Sequence, residues 1–305
     1  MLFRSKNDVM TKNQHYIPQV YLRGFSPEYQ KGSKSYPNSR YTIYCYDLNV
    51  KKQKYESVPI KSICYIKYLY EVTGHSGEIV LPNYLEHFFA GIEKMFSDFR
   101  SGLERKAFIE DNYRTNCFLT NDEKVFWVTY IIIQILRTPQ ILEIAESLSI
   151  ETWGDNVSSK QAKNIARKFC LPFFKEIDES SNEVFIINAL FEPMKNMSFG
   201  VGIDRSKSII TSDKPIYVCG SDFPCEEYDK IIFPVSSELC LFLFGNENKA
   251  KYRKNFLFPI GDEIKQEIIK SIAASSFGKL YSNHILTKME RKYIKEVISE
   301  SSARR

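Results

Sequence analysis

Nine polar side chains lie in stretches that are otherwise apolar or aromatic, and these are the residues best suited to chemistry. We expect a histidine, an arginine and three carboxylates to be catalytic: His15, Arg137, Asp213, Glu86 and Glu93. We expect four further residues to contact a substrate: Gln19, Gln134, Ser212 and Lys214. Polar groups carried towards a core need mutual partners. An active site meets that need, and so does a structural hydrogen-bond network.

The residue types predict a role for each member of the catalytic set. His15 would act as a general acid or base, because imidazole exchanges a proton near neutral pH. Arg137 would hold a phosphate and stabilise developing charge. Asp213, with Glu86 or Glu93, would orient His15 or bind a divalent metal such as Mg²⁺. The identity of the metal and its ligands stays open at this point.

Each of these residues also has a structural interpretation. A buried histidine such as His15 often forms a hydrogen bond to the backbone. Glutamates at the edge of an apolar helix face commonly pair with arginine. The Ser212-Asp213 pair, followed by Pro215, is also typical of a turn that shapes a loop.

A helix that starts at Asn83 would position the two glutamates. Its apolar residues recur with helical spacing: Leu85, Phe88, Phe89, Ile92, Phe96, Phe99 and Leu103. Glu86 and Glu93 are seven residues apart, so they lie nearly in line at the edge of this apolar face.

A second helix, from Asn121 to about Arg137, is apolar almost all round and is predicted to be buried. Tyr130, Gln134 and Arg137 form one line along it. An arginine at the end of a buried helix needs an anion or several carbonyls, because leaving it unpaired costs several kcal/mol. Glu86, Glu93 or a substrate phosphate would satisfy it. Pro139 is predicted to kink the helix before it continues to about residue 150.

The remaining pattern predicts an α+β fold, with a mostly antiparallel sheet packed against a block of α-helices. Strands are expected at 41–46 and 53–58 as a hairpin, at 198–203 and 208–211 around a turn, and at 231–236 and 239–244. All of them would join one sheet.

We predict one domain over residues 1–305. Its parts are a flexible N-terminus at 1–12, the helical block at 83–197, a strand-rich part with a closing helix at 198–285, and a charged C-terminal helix or tail at 286–305. The net charge of +5 permits an anionic partner without requiring one.

The seven cysteines include no C-x-x-C pair, and the polar first residues do not resemble a signal peptide. We therefore expect reduced thiols, a cytoplasmic location and no membrane partner. The histidines outside the opening segment are scattered, so a structural zinc site is not expected.

Several blocks of this sequence resemble those of a bacterial family named only as domain of unknown function 4238. The blocks are His15-Tyr16-Ile17-Pro18-Gln19, Tyr21-Leu22-Arg23-Gly24-Phe25, Leu69-Tyr70-Glu71, Glu86 with Glu93, Gln134 to Pro139, Thr211-Ser212-Asp213-Lys214-Pro215, and Phe233 to Ser236. The resemblance implies a bacterial protein, in some members associated with anti-phage defence islands, and suggests a toxic nuclease-like effector. It supplies no catalytic set.

Three functions follow as expectations. The first is a hydrolase, of nuclease type, that acts on RNA or DNA as a toxic effector in anti-phage defence. The second is a non-enzymatic binding or sensor module with a partner protein of the defence system, in which the buried polar network is structural. The third is electrostatic nucleic-acid binding by C-terminal basic residues: Lys249, Lys251, Arg253, Lys254, Arg291, Lys292 and Lys295. The sequence lacks a Walker loop and a G-x-S-x-G elbow.

Overall fold

A computed structural model describes residues 10–30, 40–50, 56–73, 79, 82–108, 118–154, 157–170, 184–220, 228–245 and 255–303. Residues 1–9 of the predicted flexible N-terminus lie outside these ranges. The predicted basic residues Lys249, Lys251, Arg253 and Lys254 lie outside them as well.

Helices and strands fall largely into separate runs of the chain, an α+β arrangement, as predicted. The described helices are α1 (Gln19–Leu22), α2 (Tyr84–Phe108), α3 (Asn121–Leu136), α4 (Pro139–Trp153), α5 (Ser159–Cys170), α6 (Val184–Lys195), α7 (Asp262–Ser275) and α8 (Lys288–Ala303). The described strands are β1 (Asn13–His15), β2 (Thr42–Asp47), β3 (Ser57–Pro59), β4 (Tyr65–Lys67), β5 (Ser198–Ile203), β6 (Thr211–Ser212), β7 (Tyr217–Gly220), β8 (Tyr228–Pro234), β9 (Leu239–Phe244), β10 (Phe256–Pro259) and β11 (Lys279–Ser282).

The strands form three sheets, so the prediction of one shared sheet is wrong. The first has the order β10-β5-β9-β8-β7, in which β10 and β5 are parallel and the other pairs antiparallel. The second is antiparallel with the order β3-β2-β11-β6, and the third pairs β1 with β4.

The second sheet is separate because β11 pairs with β2 of the predicted hairpin. Leu280 and Tyr281 of β11 are buried and pair with β2 on one side and β6 on the other. The predicted strand at 208–211 is therefore reduced to β6, which leaves β5 and joins β11 instead. The turn before it is held by Asp204, whose carboxylate accepts hydrogen bonds from the backbone of Ser206 and Ser208 at 3.0 and 2.8 Å.

The long apolar stretch is two helices that meet at a corner. A capping box between Thr120 and Glu123 starts α3. Pro139 occupies the first turn of α4, where its missing N–H costs nothing. The two helices are bent by 64°. Within the described ranges no single helix has the length and apolar character to cross a membrane, although this bent pair meets both criteria jointly.

The opening segment docks between the helices and the sheets through Tyr21. Its hydroxyl lies 2.7 Å from Thr211 Oγ1 and donates to the carbonyl of Pro234 at 2.8 Å. Its ring stacks on Phe233 with centroids 5.6 Å apart. The ring is fully buried, so α1 is fixed against the core together with the polar residues on either side of it.

Candidate functional site

Arg137 is the centre of the largest polar cluster among the predicted residues. It ends α3, and it is only 2% exposed. Its Nη2 donates to the carbonyl of His15 at 2.5 Å, and its Nη1 donates to Glu93 Oε1 at 3.4 Å. Its guanidinium carbon lies 4.0 Å from the centre of the Phe89 ring. The arginine therefore finds the carboxylate and the carbonyl that burial requires.

Glu86 and Glu93 lie along one side of α2 and both respond to Arg137. Burial raises the pKa of Glu86 to about 7; Arg137 opposes this shift, whereas Glu93 adds to it. Burial also raises the pKa of Glu93 despite its contact with Arg137. The Oε1 atom of Glu86 is buried and has no hydrogen-bond partner in the described structure. Glu86 is thus a carboxyl group that exchanges its proton near neutral pH.

His15 lies at the end of β1, which pairs with β4 and places its ring 5.5 Å from that of Tyr65. Burial lowers the pKa of His15; a hydrogen bond to the backbone of Lys61 works in the opposite direction, and Arg137 lowers it further. Gln19 Nε2 lies 3.3 and 3.4 Å from the two ring nitrogens. The imidazole is therefore neutral at pH 7 and half-buried at the rim of the cluster.

Two buried glutamines, Gln134 and Gln14, form hydrogen bonds next to this cluster. Gln134 donates to the carbonyl of Tyr16 at 2.7 Å. Gln14 donates to Glu71 at 2.6 Å and accepts from the amide of Tyr70 at 2.7 Å. Gln14 and Tyr70 were not among the predicted site residues. Position was the available signal, since Gln14 directly precedes His15 and Tyr70 lies within the Leu69-Tyr70-Glu71 block.

Tyr70 contacts both the backbone and the side chain of Arg137. Its hydroxyl donates to the Arg137 carbonyl at 2.8 Å, and Arg137 Nε lies 3.5 Å from the same hydroxyl. Burial raises the pKa of Tyr70 to about 12, so it stays a neutral phenol. The end of α3 is thereby tied to the 69–71 block through both side chain and backbone.

Asp213, Ser212 and Lys214 form a different structure. They make a turn at the end of β6, and this turn contacts the start of β11. The Asp213 carboxylate accepts from the amides of Phe277 and Lys279 at 2.8 and 3.1 Å. Ser212 Oγ donates to the Lys214 carbonyl at 2.6 Å. Burial raises the pKa of Asp213 to about 6. Each of these contacts is of the loop-shaping kind.

This turn adjoins the Arg137 cluster without joining it. Within the described residues, no hydrogen bond or ion pair links Asp213 to Arg137 or His15. Burial raises the pKa of Tyr16, the neighbour of His15 in the chain, and Cys64 and the charge of Asp213 add to this shift. The structure therefore joins Arg137 to Glu93 and to the backbone of His15, with Glu86 in its electrostatic field. Gln19 lies beside the His15 ring and Gln134 binds the carbonyl of Tyr16, whereas Ser212, Asp213 and Lys214 belong to the separate turn.

No group of three or more histidine, cysteine or carboxylate side chains in the described part of the chain could hold a metal ion. A cavity of about 450 Å³ lies elsewhere, between the 204–208 turn, α7 and α8. Its polar lining includes Lys265, His284 and Glu290, and it contains none of the predicted site residues.

Searches against curated proteins and against solved structures gave no match to this chain. A family model does match, over residues 13–285, which includes every residue of the site described above. The chain belongs to the family described as protein of unknown function DUF4238.

Proposed function

We propose that this protein is a hydrolase of the nuclease type, with Glu86 and His15 as its acid–base pair. The observation that carries the proposal is the state of Glu86. It is a half-buried carboxyl group with a pKa of about 7, and one of its oxygens has no hydrogen-bond partner in the described structure. Buried polar atoms normally have a hydrogen-bond partner, so an unpaired oxygen on a buried carboxyl group points to a role outside the fold. A group that must exchange a proton at neutral pH has this combination of properties.

The neutral His15 supplies the base for RNA cleavage and Glu86 supplies the acid. His15 removes the proton from a ribose 2′-hydroxyl, and the 2′-oxygen attacks the adjacent phosphorus. The bond from phosphorus to the 5′-oxygen breaks, and Glu86 gives its proton to that leaving oxygen. The products of this step are a 2′,3′-cyclic phosphate and a free 5′-hydroxyl. In a second step Glu86 takes a proton from water, the water oxygen attacks the cyclic phosphorus, the bond from phosphorus to the 2′-oxygen breaks, and His15 gives its proton to that oxygen.

In this proposal Arg137 acts through the electrostatic field of its positive charge and through its hydrogen bonds. Its guanidinium is 2% exposed and its donors contact Glu93, the His15 carbonyl and Tyr70. It therefore positions His15 and adjusts both glutamates, which makes it a positioning residue. This differs from the phosphate contact predicted for Arg137 from sequence.

Cleavage assays with matched variants test the proposal. His15→Ala removes the imidazole but keeps the carbonyl that Arg137 binds, and Glu86→Gln removes only the proton. Asp98→Asn is the control, because Asp98 is an exposed carboxylate on the same helix. The substrates are tRNA, single-stranded DNA and plasmid, each with Mg²⁺, Mn²⁺ or EDTA.

We expect tRNA cleavage by the wild type and Asp98→Asn, and a loss of about 10²–10⁴-fold in both site variants. Cleavage of DNA but not of tRNA would support nuclease activity and exclude attack by the 2′-hydroxyl. If no substrate is cleaved under any of these conditions, the proposal of a nuclease-type hydrolase is wrong.

A non-enzymatic binding or sensor module is the second candidate, and the burial of Arg137 favours it. A guanidinium sealed in the interior, with a protein partner for each of its three nitrogens, is typical of a structural network. Melting temperatures discriminate between the two. If His15→Ala and Glu86→Gln lower the melting temperature as strongly as Arg137→Ala, the half-buried residues belong to the same structural network.

The biological setting proposed here is that of a cytoplasmic toxic effector of anti-phage defence, together with a partner protein of the defence system. The support is the resemblance of the sequence blocks to a family found in such islands. Inducible expression in a bacterial host tests it. We expect growth arrest with the wild type and normal growth with Glu86→Gln at equal protein levels.

A further inference from the structure

The cavity between α7 and α8 lies apart from the site proposed above and is open to solvent. Its volume of about 450 Å³ is in the range of pockets that hold small organic ligands. Ile269 and Glu290 in its lining are buried, whereas Asp262 and Met289 in its lining are exposed. The cavity therefore has a buried floor and an exposed rim, through which a small molecule can enter.

One wall of the cavity is preformed at the start of α8. His284 Nε2 lies 3.1 and 3.2 Å from the two carboxylate oxygens of Glu290, and His284 Nδ1 lies 2.8 Å from Asn283 Oδ1. The amide of Thr287 donates to Glu290 at 2.6 Å, and the amide of Glu290 donates to Thr287 Oγ1 at 3.2 Å. Both ring nitrogens and the carboxylate are thus engaged within the protein, so this wall supplies shape to the cavity and no unpaired charge.

The opposite wall combines the turn after β5 with α7. Asp204 accepts hydrogen bonds from the hydroxyls of Ser206 and Ser208, so these two hydroxyls retain acceptor capacity only. Lys265 donates to Ser206 Oγ at 3.1 Å, and its Nζ lies 3.8 Å from Asp204 Oδ2. The positive charge of Lys265 is therefore largely compensated inside the wall.

Asp262 is the charged group of the lining that lacks a partner. It lies in the first turn of α7, and within the described ranges its side chain has no hydrogen bond or ion pair. An anionic ligand would be repelled by Asp262 and Glu290, and a cationic ligand would be repelled by Lys265. The free capacity of the lining is mainly that of a hydrogen-bond acceptor, so an uncharged ligand with several hydroxyl donors fits it best.

We propose that this cavity is a nucleoside-binding site. The ribose hydroxyls would donate to the Asp262 carboxylate and to the oxygens of Ser206 and Ser208, as ribose hydroxyls donate to a carboxylate in dinucleotide-binding folds. The base would pack on the apolar part of the lining, which includes the Tyr293 ring and Met289. Nucleobases stack readily on aromatic side chains. This site is separate from the proposed acid–base pair and does not depend on it.

Isothermal titration of the full chain tests the proposal. The ligands are adenosine, guanosine, cytidine and uridine, with ribose and AMP as comparisons. The variants are Asp262→Asn and Tyr293→Leu, and the control is Glu263→Gln. Glu263 is an exposed carboxylate in the same turn of α7 that does not line the cavity, so the control makes the same change of charge one residue away.

We expect the wild type and the control to bind at least one nucleoside with equal affinity. Asp262→Asn should bind that nucleoside at least about tenfold more weakly, because hydrogen bonds to a charged acceptor are lost. Tyr293→Leu should also weaken nucleoside binding about tenfold through the loss of stacking, and it should leave the affinity for ribose unchanged. AMP should bind no more tightly than adenosine, because its phosphate meets two carboxylates.

Three results would overturn the proposal. The first is a wild type that binds none of the four nucleosides at concentrations up to about 1 mM. The second is an Asp262→Asn variant that binds them as the wild type does; this side chain is exposed, so the variant is expected to fold. The third is tighter binding of AMP than of adenosine, which would indicate an anion site. Glu86→Gln should bind nucleosides normally, so failure of the nuclease proposal would leave this result unchanged.

Discussion

Arg137 Nη1 lies 3.4 Å from Glu93 Oε1, and this ion pair connects a sealed interior to the surface. The arginine side chain is 2% exposed, whereas the glutamate side chain is 29% exposed. The positive end of the pair is fixed by α3, and the negative end can meet solvent or a ligand. Changes to the two partners should therefore have different consequences.

Arg137→Ala should lower the free energy of unfolding by about 3–5 kcal/mol, because it breaks a buried charge network and leaves its partners unpaired. Glu93→Gln should cost clearly less, because that side chain reaches solvent. Urea denaturation with circular dichroism measures both. Equal losses in the two variants would show that Glu93 is as structural as Arg137.

Glu86→Gln should change the dependence of stability on pH. The pKa of Glu86 is about 7 in the fold and about 4.5 as a free side chain, so the folded state holds its proton more tightly. The stability from this group is complete below pH 4.5 and is lost as the pH rises through 7. The loss is at most about 3 kcal/mol, and solvent contact at this half-buried site reduces it.

The measurement is urea denaturation of the wild type and Glu86→Gln at pH 4 and pH 8. We expect the variant to gain stability relative to the wild type between pH 4 and pH 8, and the Asp98→Asn control to show no such gain. A constant difference between variant and wild type at both pH values would contradict the raised pKa.

The rate of RNA cleavage should follow a bell-shaped pH profile. The acidic limb belongs to His15, whose pKa lies below its usual 6.5 and which must be neutral to act as the base. The alkaline limb belongs to Glu86, which must be protonated to act as the acid and has a pKa of about 7. Single-turnover rates between pH 4.5 and pH 9 should therefore peak between the two values. A rate that still rises above pH 8 would exclude Glu86 as the acid.

Asp213→Asn should reduce stability by about 1–3 kcal/mol, because one of the two oxygens that accept from Phe277 and Lys279 becomes an amide nitrogen. Its effect on cleavage should follow the loss of folded protein only. Thermal unfolding and cleavage rates per folded molecule measure the two effects. A cleavage loss above about 100-fold in fully folded Asp213→Asn would return Asp213 to the catalytic set.

The sequence was most informative where one helix determines the outcome. The heptad spacing places Glu86 and Glu93 on one side of α2, and the apolar run of α3 forces Arg137 to find an anion. Both inferences need only helical periodicity and the cost of an unpaired charge. Glu93 was therefore one of three partners that the sequence offered for Arg137, beside Glu86 and a substrate phosphate, and the structure shows the contact with Glu93.

The sequence was least informative where distant strands determine the outcome. Asp213 adjoins the amides of Phe277 and Lys279 because β6 pairs with β11, more than sixty residues away. The pairing of β11 with β2 places β2 and β3 in that second sheet, outside the sheet that contains β5, β8 and β9. The parallel strand β10 was missed because four residues are too few for a periodic pattern.

The 64° corner between α3 and α4 places Arg137 at a joint. Arg137 directly follows the last residue of α3, and Pro139 begins α4 two residues later. The Arg137 guanidinium reaches Glu93 on α2, where its charge opposes the rise in the pKa of both glutamates. One cation at the end of a helix therefore biases two proton sites on its neighbour, so the packing of α3 on α2 is the feature that any redesign of this region has to keep.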